Sequence, residues 1–335
     1  MRKRRGVGLV LSGGGARGFA HIGVLQVLER RGVRVDAVAG TSMGAILGAL
    51  HAAGRSADEI YELAGALSWR DVLDLSLQAG LLKGDKLQAF LATHLPATFA
   101  DLEIPLAVTT TDVETGEEHI VLDGALADAV RASSSFPGAF EPVVVEGRTL
   151  ADGGIVNNLP VAAAGLLGCE YVIASDATPP RRSTFVLDDG EGSWWERMVA
   201  TVRLERRSPM AQMLLRSTDV MQAILTDLQY TLHPADVRIA LDMPKYRIES
   251  FREFEAIVAT GRETAERTFD NLARERPDKL PPTRPSQRAE DRAHDSPAEH
   301  PDAFADERAD EPADGQRSAR RASSRRKAGS KAGPR

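Results

Sequence analysis

Apolar residues in the first third of the chain fall into short blocks that alternate with amphipathic stretches. Two short apolar runs, residues 6–12 and 33–39, predict buried strands. Between them, residues 19–31 carry apolar side chains at helical spacing, and Gly32 follows as a helix terminator. A second helical stretch begins soon after the second run. Strand, helix, strand and helix at this spacing indicate a parallel sheet with right-handed crossovers.

The rest of the apolar pattern predicts further elements of the same kinds. We expect a hairpin at residues 104–122, a helix at 126–135 and a turn between two short strands at 143–150. We then expect a helix–strand unit at 160–175, a mainly helical stretch at 194–228, a strand at 237–241 and a final amphipathic helix at 250–274. Together the elements predict a three-layer α/β/α fold with a mostly parallel central sheet.

Composition divides the chain into two parts. From about Arg276 onward apolar residues nearly vanish, so this segment cannot offset the entropy lost on ordering. We therefore predict one domain over residues 1–275 and a disordered charged tail over residues 276–335. The tail has 14 Lys and Arg and 11 Asp and Glu, so its net charge is +3. Since the whole chain carries −6, residues 1–275 carry −9. A mildly acidic domain argues against nucleic acid as its main partner.

Charge runs occur at both ends of the chain. Residues 2–5 are all basic, and residues 316–335 carry eight bases and no acid. Runs of this kind are usually just solvated, and the functional interpretation is weak attraction to an anionic membrane. Cys169 is the single cysteine, which excludes an intramolecular disulfide and a cysteine metal cluster. We expect a cytoplasmic protein whose basic ends can contact the inner membrane face peripherally, and the sequence indicates no oligomeric state.

The pentapeptide Gly40-Thr41-Ser42-Met43-Gly44 follows the second apolar run and opens the second helix. A serine between two glycines at a strand-to-helix turn is the pattern of a nucleophile elbow. The turn is sharp, so the flanking positions need little side-chain bulk, and the serine hydroxyl is exposed at a helix N-terminus. The pattern predicts a nucleophilic serine.

A glycine-rich turn after the first strand leaves two interpretations open. Literally, Gly13-x-Gly15-x-x-Gly18 with Asp36 near the end of the second strand is a dinucleotide fingerprint. However, the second strand leads into the serine elbow, so two glycine-rich helix N-termini would lie side by side. Backbone N–H groups in such a place suit an oxyanion at least as well as a pyrophosphate.

Acyl transfer by Ser42 also needs a base and oxyanion donors. The backbone N–H groups of Gly14, Gly15 and Met43 are the candidate donors. Asp152 is the candidate base, because it follows a predicted strand and precedes two glycines that allow close backbone approach.

His233 is the alternative base. The chain order Ser42, Asp152, His233 is that of an α/β-hydrolase triad, but the setting of His233 before Pro234 indicates an ordinary turn.

Three blocks in order along the chain resemble the patatin-like phospholipase family: Ser12-Gly13-Gly14-Gly15-Ala16-Arg17-Gly18, Gly40-Thr41-Ser42-Met43-Gly44 and Asp152-Gly153-Gly154. The similarity extends to Asp112-Val113-Glu114-Thr115-Gly116, Ala132-Ser133-x-x-x-Pro137 and Asn157-Asn158-x-Pro160. It covers about residues 6–177 closely and is greatest to the compact bacterial members. The resemblance implies hydrolysis of phospholipid or lysophospholipid acyl esters by a Ser–Asp dyad, without metal or cofactor.

The same resemblance implies roles for individual residues. Ser42 matches the family nucleophile and Asp152 its base, while Gly13, Gly14 and Gly15 match the oxyanion loop. The other matching positions support the site: Arg17, which would steady that loop or a lipid phosphate, and Gly18, Gly40, Gly44, Gly153 and Gly154.

Two other functions remain open on the sequence. One is a catalytically quiet regulatory member of the family, and the other is the dinucleotide-binding oxidoreductase. A further expectation concerns the apolar residues Leu73, Leu75, Leu77, Leu81 and Leu82 after the elbow helix. We expect them near the entrance of an acyl-chain site.

Overall fold

A computed structural model describes residues 5–68, 72, 83–179 and 209–283. Its strands are β1 (Arg5–Leu11), β2 (Val35–Thr41), β3 (Leu106–Asp112), β4 (Glu118–Val121), β5 (Val143–Val145), β6 (Arg148–Asp152), β7 (Cys169–Asp176) and β8 (Val237–Ala240). In this part of the chain they form one sheet in the order β5-β6-β3-β2-β1-β7-β8, and β4 pairs with β3 outside that path.

The helices of the described residues pack on both faces of this sheet. They are α1 (Ala20–Arg30), α2 (Met43–Ala52), α3 (Ala57–Ala66), α4 (Asp85–His94), α5 (Leu126–Ser133), α6 (Val161–Leu166), α7 (Pro209–Leu232) and α8 (Phe254–Glu275). The predicted three-layer α/β/α fold is therefore confirmed. None of these helices is both long enough and apolar enough to cross a membrane.

The sheet has a parallel centre and an antiparallel edge. Strands β3, β2, β1, β7 and β8 run parallel, whereas β4 and β6 are antiparallel to β3 and β5 is antiparallel to β6. The mostly parallel sheet and the β3–β4 hairpin were both predicted. Parallel strands place their carboxyl ends at one edge, where ligands of open α/β sheets bind.

The two faces of the central strands bury side chains of different size. Leu9, Val38, Val108 and Ile173 point to the face covered by α1 and α2 and belong to the larger core cluster. The neighbouring strand residues Val10, Ala39, Ala107 and Ala174 point to the opposite face, and all but Val10 are alanines. Because both faces are buried, these strands appear in the sequence as continuous apolar runs rather than alternating ones.

The described chain continues eight residues past the predicted boundary at residue 275. After α8, the Tyr171 hydroxyl donates a hydrogen bond to the Lys279 carbonyl. The Lys279 ammonium lies 3.8 Å from the Asp236 carboxylate, and Pro281 is buried. The low apolar content of this segment did not indicate these contacts, since they are made by a backbone carbonyl, a lysine ammonium and a proline. The rest of the predicted tail, residues 284–335, lies outside the described residues.

These contacts predict where the chain can be shortened. Truncation after Thr283 should leave the melting temperature unchanged, whereas truncation after Glu275 should lower it by removing the contacts of Lys279 and Pro281. Thermal unfolding of both forms, with Tyr171→Phe as the control for the hydroxyl alone, measures the difference. Equal melting temperatures for the two truncations would mean that the segment adds nothing to the fold.

Candidate active site

Ser42 lies at the turn between β2 and α2 in a backbone conformation that serine rarely adopts. Its φ is 54° and its ψ is −123°, and a positive φ in a non-glycine residue is strained. The strain is held by neighbours: the Ser42 amide donates to Ser133 Oγ at 2.9 Å, and Ser133 Oγ donates to the Thr109 carbonyl at 2.6 Å. The predicted elbow geometry is present. Ser133, in the Ala132–Pro137 block of the resemblance, was not predicted to have this supporting role.

The two glycines of the pentapeptide are required by close backbone approach. A Cβ atom on Gly40 would lie 2.6 Å from the Gly44 carbonyl oxygen. A Cβ atom on Gly44 would lie 2.5 Å from the Ser12 carbonyl oxygen and would overlap that of Leu11. The first turn of α2 therefore packs directly on the end of β1, which brings Ser42 next to the glycine loop.

Asp152 ends β6, which is separated by β3 from the strand β2 that leads into Ser42. It pairs with Thr110 of β3, and its side chain is 2% exposed. The carboxylate accepts a hydrogen bond from the Gly154 amide at 2.8 Å. Burial raises the pKa of Asp152 to about 6, whereas this hydrogen bond and the nearby Ser42 hydroxyl oppose that rise by favouring the ionised form. The arrangement is a buried carboxylate with a basicity close to that needed at neutral pH.

The glycines after Asp152 let its loop approach other backbone segments. A Cβ atom on Gly153 would overlap the Thr109 carbonyl oxygen. Helix α7 holds the same loop from outside, because Gln222 Nε2 donates to the Gly154 carbonyl at 3.1 Å. Nothing in the sequence near Gln222 indicated this contact, which joins residues far apart in the chain.

The glycine loop lies directly against the elbow. A Cβ atom on Gly13 would lie 3.2 Å from Ser42 Cβ. The Gly13 amide donates to the Asn158 carbonyl at 3.1 Å, so it is already used within the fold. In the described part of the chain, the amides of Gly14, Gly15 and Met43 donate to no protein acceptor. These three amides stay the candidate oxyanion donors.

Arg17 and Gly18 support this loop in different ways. The guanidinium of Arg17 is 4% exposed, and its Nη2 lies 3.3 Å from Asp219 Oδ1 of α7. Its Nε has no hydrogen-bond partner among the described residues. A Cβ atom on Gly18 would lie 2.5 Å from Met43 Cγ, so glycine allows the loop to pack on α2.

The competing site residues lie elsewhere. Asp36 was expected near the end of the second strand, but it is the second residue of β2, at the amino edge of the sheet. Its carboxylate accepts a hydrogen bond from the Val7 amide at 2.9 Å. An acid that binds a ribose next to the glycine loop would have to lie at the opposite edge. The dinucleotide fingerprint is therefore a coincidence of spacing.

His233 and Asp112 also have other surroundings. His233 follows α7 and is exposed, and within the described residues no hydrogen bond links its ring to Asp152 or Ser42. Asp112 accepts hydrogen bonds from the Glu114 and Thr115 amides and so shapes the hairpin turn. The Arg148 guanidinium lowers the pKa of Asp112.

Residues 73–82 lie outside the described part of the chain, so the acyl-site leucines Leu73, Leu75, Leu77, Leu81 and Leu82 stay a prediction. Within the described part, no group of three or more His, Cys, Asp and Glu side chains is placed to hold a metal ion.

Comparison with known proteins identifies the relatives of this site. Residues 9–164 match the family model described as patatin-like phospholipase. An uncharacterized NTE family protein of Mycobacterium bovis is 40% identical over 203 residues, which cover 58% of this chain and 55% of that protein. The human patatin-like phospholipase domain-containing protein 6 is 36% identical over 202 residues, 56% of this chain and 14% of that protein.

Two more similarities concern function and fold separately. The lysophospholipase NTE1 of Pyricularia oryzae is 36% identical over 180 residues, 51% of this chain and 12% of that protein. The crystal structure of VipD from Legionella pneumophila matches with a TM-score of 0.53 over 80% of this chain and 67% of VipD, at 17% identity. This match supports the fold alone. The chain spans about half, or less, of the length of these sequence relatives.

Proposed function

Because residues 9–164 belong to the patatin-like phospholipase family, a family of lipid hydrolases, we propose that this chain hydrolyses lipid acyl esters with a Ser42–Asp152 dyad. One observation carries the proposal. The Ser42 hydroxyl, on a strained turn, lies near enough to the buried Asp152 carboxylate to favour its ionised form. A nucleophile beside a base, next to amides without an acceptor in the described chain, provides the groups that acyl transfer needs.

Acylation follows from these positions. Ser42 Oγ attacks the ester carbonyl carbon while its proton passes to Asp152. The carbonyl oxygen becomes an oxyanion. It accepts hydrogen bonds from the Gly14 and Gly15 amides of the glycine loop and from the Met43 amide at the N-terminus of α2. When the tetrahedral intermediate collapses, the leaving alcohol takes the proton from Asp152. The products of this step are the free alcohol and an acyl ester on Ser42.

Deacylation repeats the steps of acylation, with water as the nucleophile. Asp152 takes a proton from the water, the oxyanion forms at the same amides, and Ser42 Oγ recovers the proton as the fatty acid leaves. The raised pKa of Asp152 suits both roles, because a base works best when its pKa is near the operating pH. At neutral pH a group with this pKa is mostly ionised yet accepts a proton at moderate cost.

The proposed substrates are phospholipids or lysophospholipids. Two things support this class: the name of the Pyricularia relative, a lysophospholipase, and the unpartnered Nε of Arg17 beside the glycine loop, which could serve a phosphate. The proposed membrane contact through the basic chain ends would bring the enzyme near such lipids. No cofactor enters the proposed reaction.

A labelling and hydrolysis experiment tests the proposal. A fluorophosphonate probe should label wild-type protein and leave Ser42→Ala unlabelled. The same wild-type preparation should release fatty acid from phospholipid or lysophospholipid and p-nitrophenol from a short ester. Protein that is labelled at Ser42 but turns over no ester would be the catalytically quiet regulatory member. Absence of labelling would reject the nucleophile.

The pKa of Asp152 predicts the pH dependence of the reaction. The base must be deprotonated, so kcat/KM for a soluble p-nitrophenyl ester should rise up to tenfold per pH unit below about pH 6 and level off above it. Initial rates across this range, with folding checked at each pH, measure the profile. His233→Ala should show the same profile, and a rate that still climbs above about pH 8 would contradict an Asp152 base.

A further inference from the structure

A buried histidine lies beneath the glycine loop and has no place in the reaction described above. His21 is the second residue of α1 and is fully buried. Its Nε2 lies 2.9 Å from the Ser12 carbonyl oxygen, and its Nδ1 lies 2.7 Å from Ser175 Oγ of β7. Both ring nitrogens therefore have hydrogen-bond partners inside the fold.

These contacts determine which ring nitrogen carries the proton. A carbonyl oxygen can only accept, so Nε2 must donate to Ser12. Burial lowers the pKa of His21 to about 4, so the ring is neutral near pH 7. Nδ1 of the neutral ring is then an acceptor for the Ser175 hydroxyl. The tautomer is Nε2–H, and Ser175 holds it in place.

The Ser12 carbonyl lies between the glycine loop, which carries the Gly14 and Gly15 amides, and α2, which carries the Met43 amide. Ser12 directly precedes the glycine loop, and its hydroxyl accepts a hydrogen bond from the Ala177 amide at 2.8 Å. On the other side, the first turn of α2 packs on this carbonyl, since a Cβ atom on Gly44 would lie 2.5 Å from its oxygen. A change in its direction would shift the Gly14 and Gly15 amides relative to Met43.

We infer that His21 is a positioning residue that fixes the Ser12 carbonyl and thereby aligns the oxyanion amides of the glycine loop with that of α2. The expected effect on kcat rests on the proposed function. The alignment of the amides rests on the observed hydrogen bonds of His21. His21 touches neither the dyad nor the substrate in this scheme.

The test compares variants that keep or remove the donor. His21→Leu, which fills the space without a donor, should lower kcat on a p-nitrophenyl ester by about tenfold to a hundredfold and leave KM within about threefold. His21→Gln places an amide N–H near the position of Nε2 and should recover most of the loss. Ser175→Ala keeps the donor but not its orientation, so its loss should be smaller.

Gln26→Leu is the matched control. Gln26 lies on the same helix and is buried, but its side chain binds Asp58 and Arg262 rather than the loop. This variant should lower the melting temperature with kcat unchanged within about twofold. If His21→Leu and His21→Gln lose kcat equally, or if Gln26→Leu loses as much as His21→Leu, the positioning role is refuted.

Two measurements separate this inference from the proposed function. Hydrogen exchange of peptides that contain residues 12–18 should be faster in His21→Leu than in wild type or Gln26→Leu, whether or not any ester is hydrolysed. Nitrogen NMR of histidine-labelled wild type should show the neutral Nε2–H tautomer, even if His21→Leu does not fold. If the wild-type protein is inactive but gives both expected results, the proposed hydrolase function is rejected and the role of His21 stands. If hydrogen exchange is unchanged in His21→Leu, or if the ring carries its proton on Nδ1, the role of His21 is rejected.

Discussion

Asp152→Asn should lower kcat by about 10²–10⁴-fold, the range expected when a general base is removed. Asparagine keeps the shape of the side chain and can still accept the hydrogen bond from the Gly154 amide. It cannot take the proton of Ser42. Rates on a soluble short-chain ester measure the loss, so that lipid binding does not enter the comparison.

Two further variants separate a dyad from a triad. Ser42→Ala should lose at least as much activity as Asp152→Asn, because it removes the attacking atom. His233→Ala should cost less than about tenfold, since the imidazole is exposed and makes no hydrogen bond to either residue in the described chain. A folded His233→Ala variant as inactive as Ser42→Ala would establish a conventional triad instead.

The same Asp152→Asn change should make the protein more stable at pH 7–8. The folded-state pKa is raised from 3.8 to about 6, so the folded state holds a proton that the unfolded chain has already lost between these values. Stability therefore falls as pH rises through this window and stays lower above it. Asparagine never ionises, and the expected gain is about 1–3 kcal/mol. Thermal unfolding at about pH 4 and pH 8 should show the gain at the higher pH alone.

Gly44→Ala should disrupt both the fold and the reaction. The new methyl group would overlap the carbonyl oxygens of Leu11 and Ser12, which are backbone atoms that cannot rotate away. Helix α2 would have to move off β1, at a cost of about 1–3 kcal/mol or more. Because α2 carries Ser42 and the Met43 amide, a shift of even about 1 Å could lower kcat about a hundredfold.

Gly165→Ala is the control for this change. Gly165 lies in α6 on an exposed position, and a Cβ atom there would meet no atom within 4 Å. The same substitution should therefore stabilise the protein by about 0.5–1 kcal/mol through the unfolded state and leave kcat unchanged. The melting temperatures of the two variants should shift in opposite directions, and kcat should fall in Gly44→Ala alone. A Gly44→Ala variant that is as stable and active as Gly165→Ala would contradict the close packing of α2 on β1.

Local sequence signals predicted the fold well, because the central elements are specified by short-range patterns. Continuous apolar runs marked the parallel strands, and glycines marked the turns at which backbone segments touch. Ser42, Asp152 and the glycine loop are readable for the same reason: each lies within a few residues of the glycines that create its geometry. Asp36 misled, because spacing along the sequence does not say at which edge of the sheet a strand residue lies.

The supporting contacts could not be predicted, since each joins segments that are distant in sequence. Ser133 reaches the elbow from α5, Gln222 reaches the Asp152 loop from α7, and Ser175 reaches His21 from β7. None of these residues belongs to a local pattern that would distinguish it from an ordinary polar residue. Gly13 is a similar case, because its commitment to the Asn158 carbonyl depends on tertiary contact.

The first strand and the segment after α8 both reach the amino edge of the sheet. Arg5 pairs with Cys169 at this edge, and Lys279 binds Tyr171 there. Ser42 and Asp152 lie at the opposite edge, about 20 Å away along a seven-residue strand. A surface that touched the described chain at Arg5 and Lys279 would therefore face away from both side chains. Any molecule that reacts with Ser42 has to approach from the carboxyl edge.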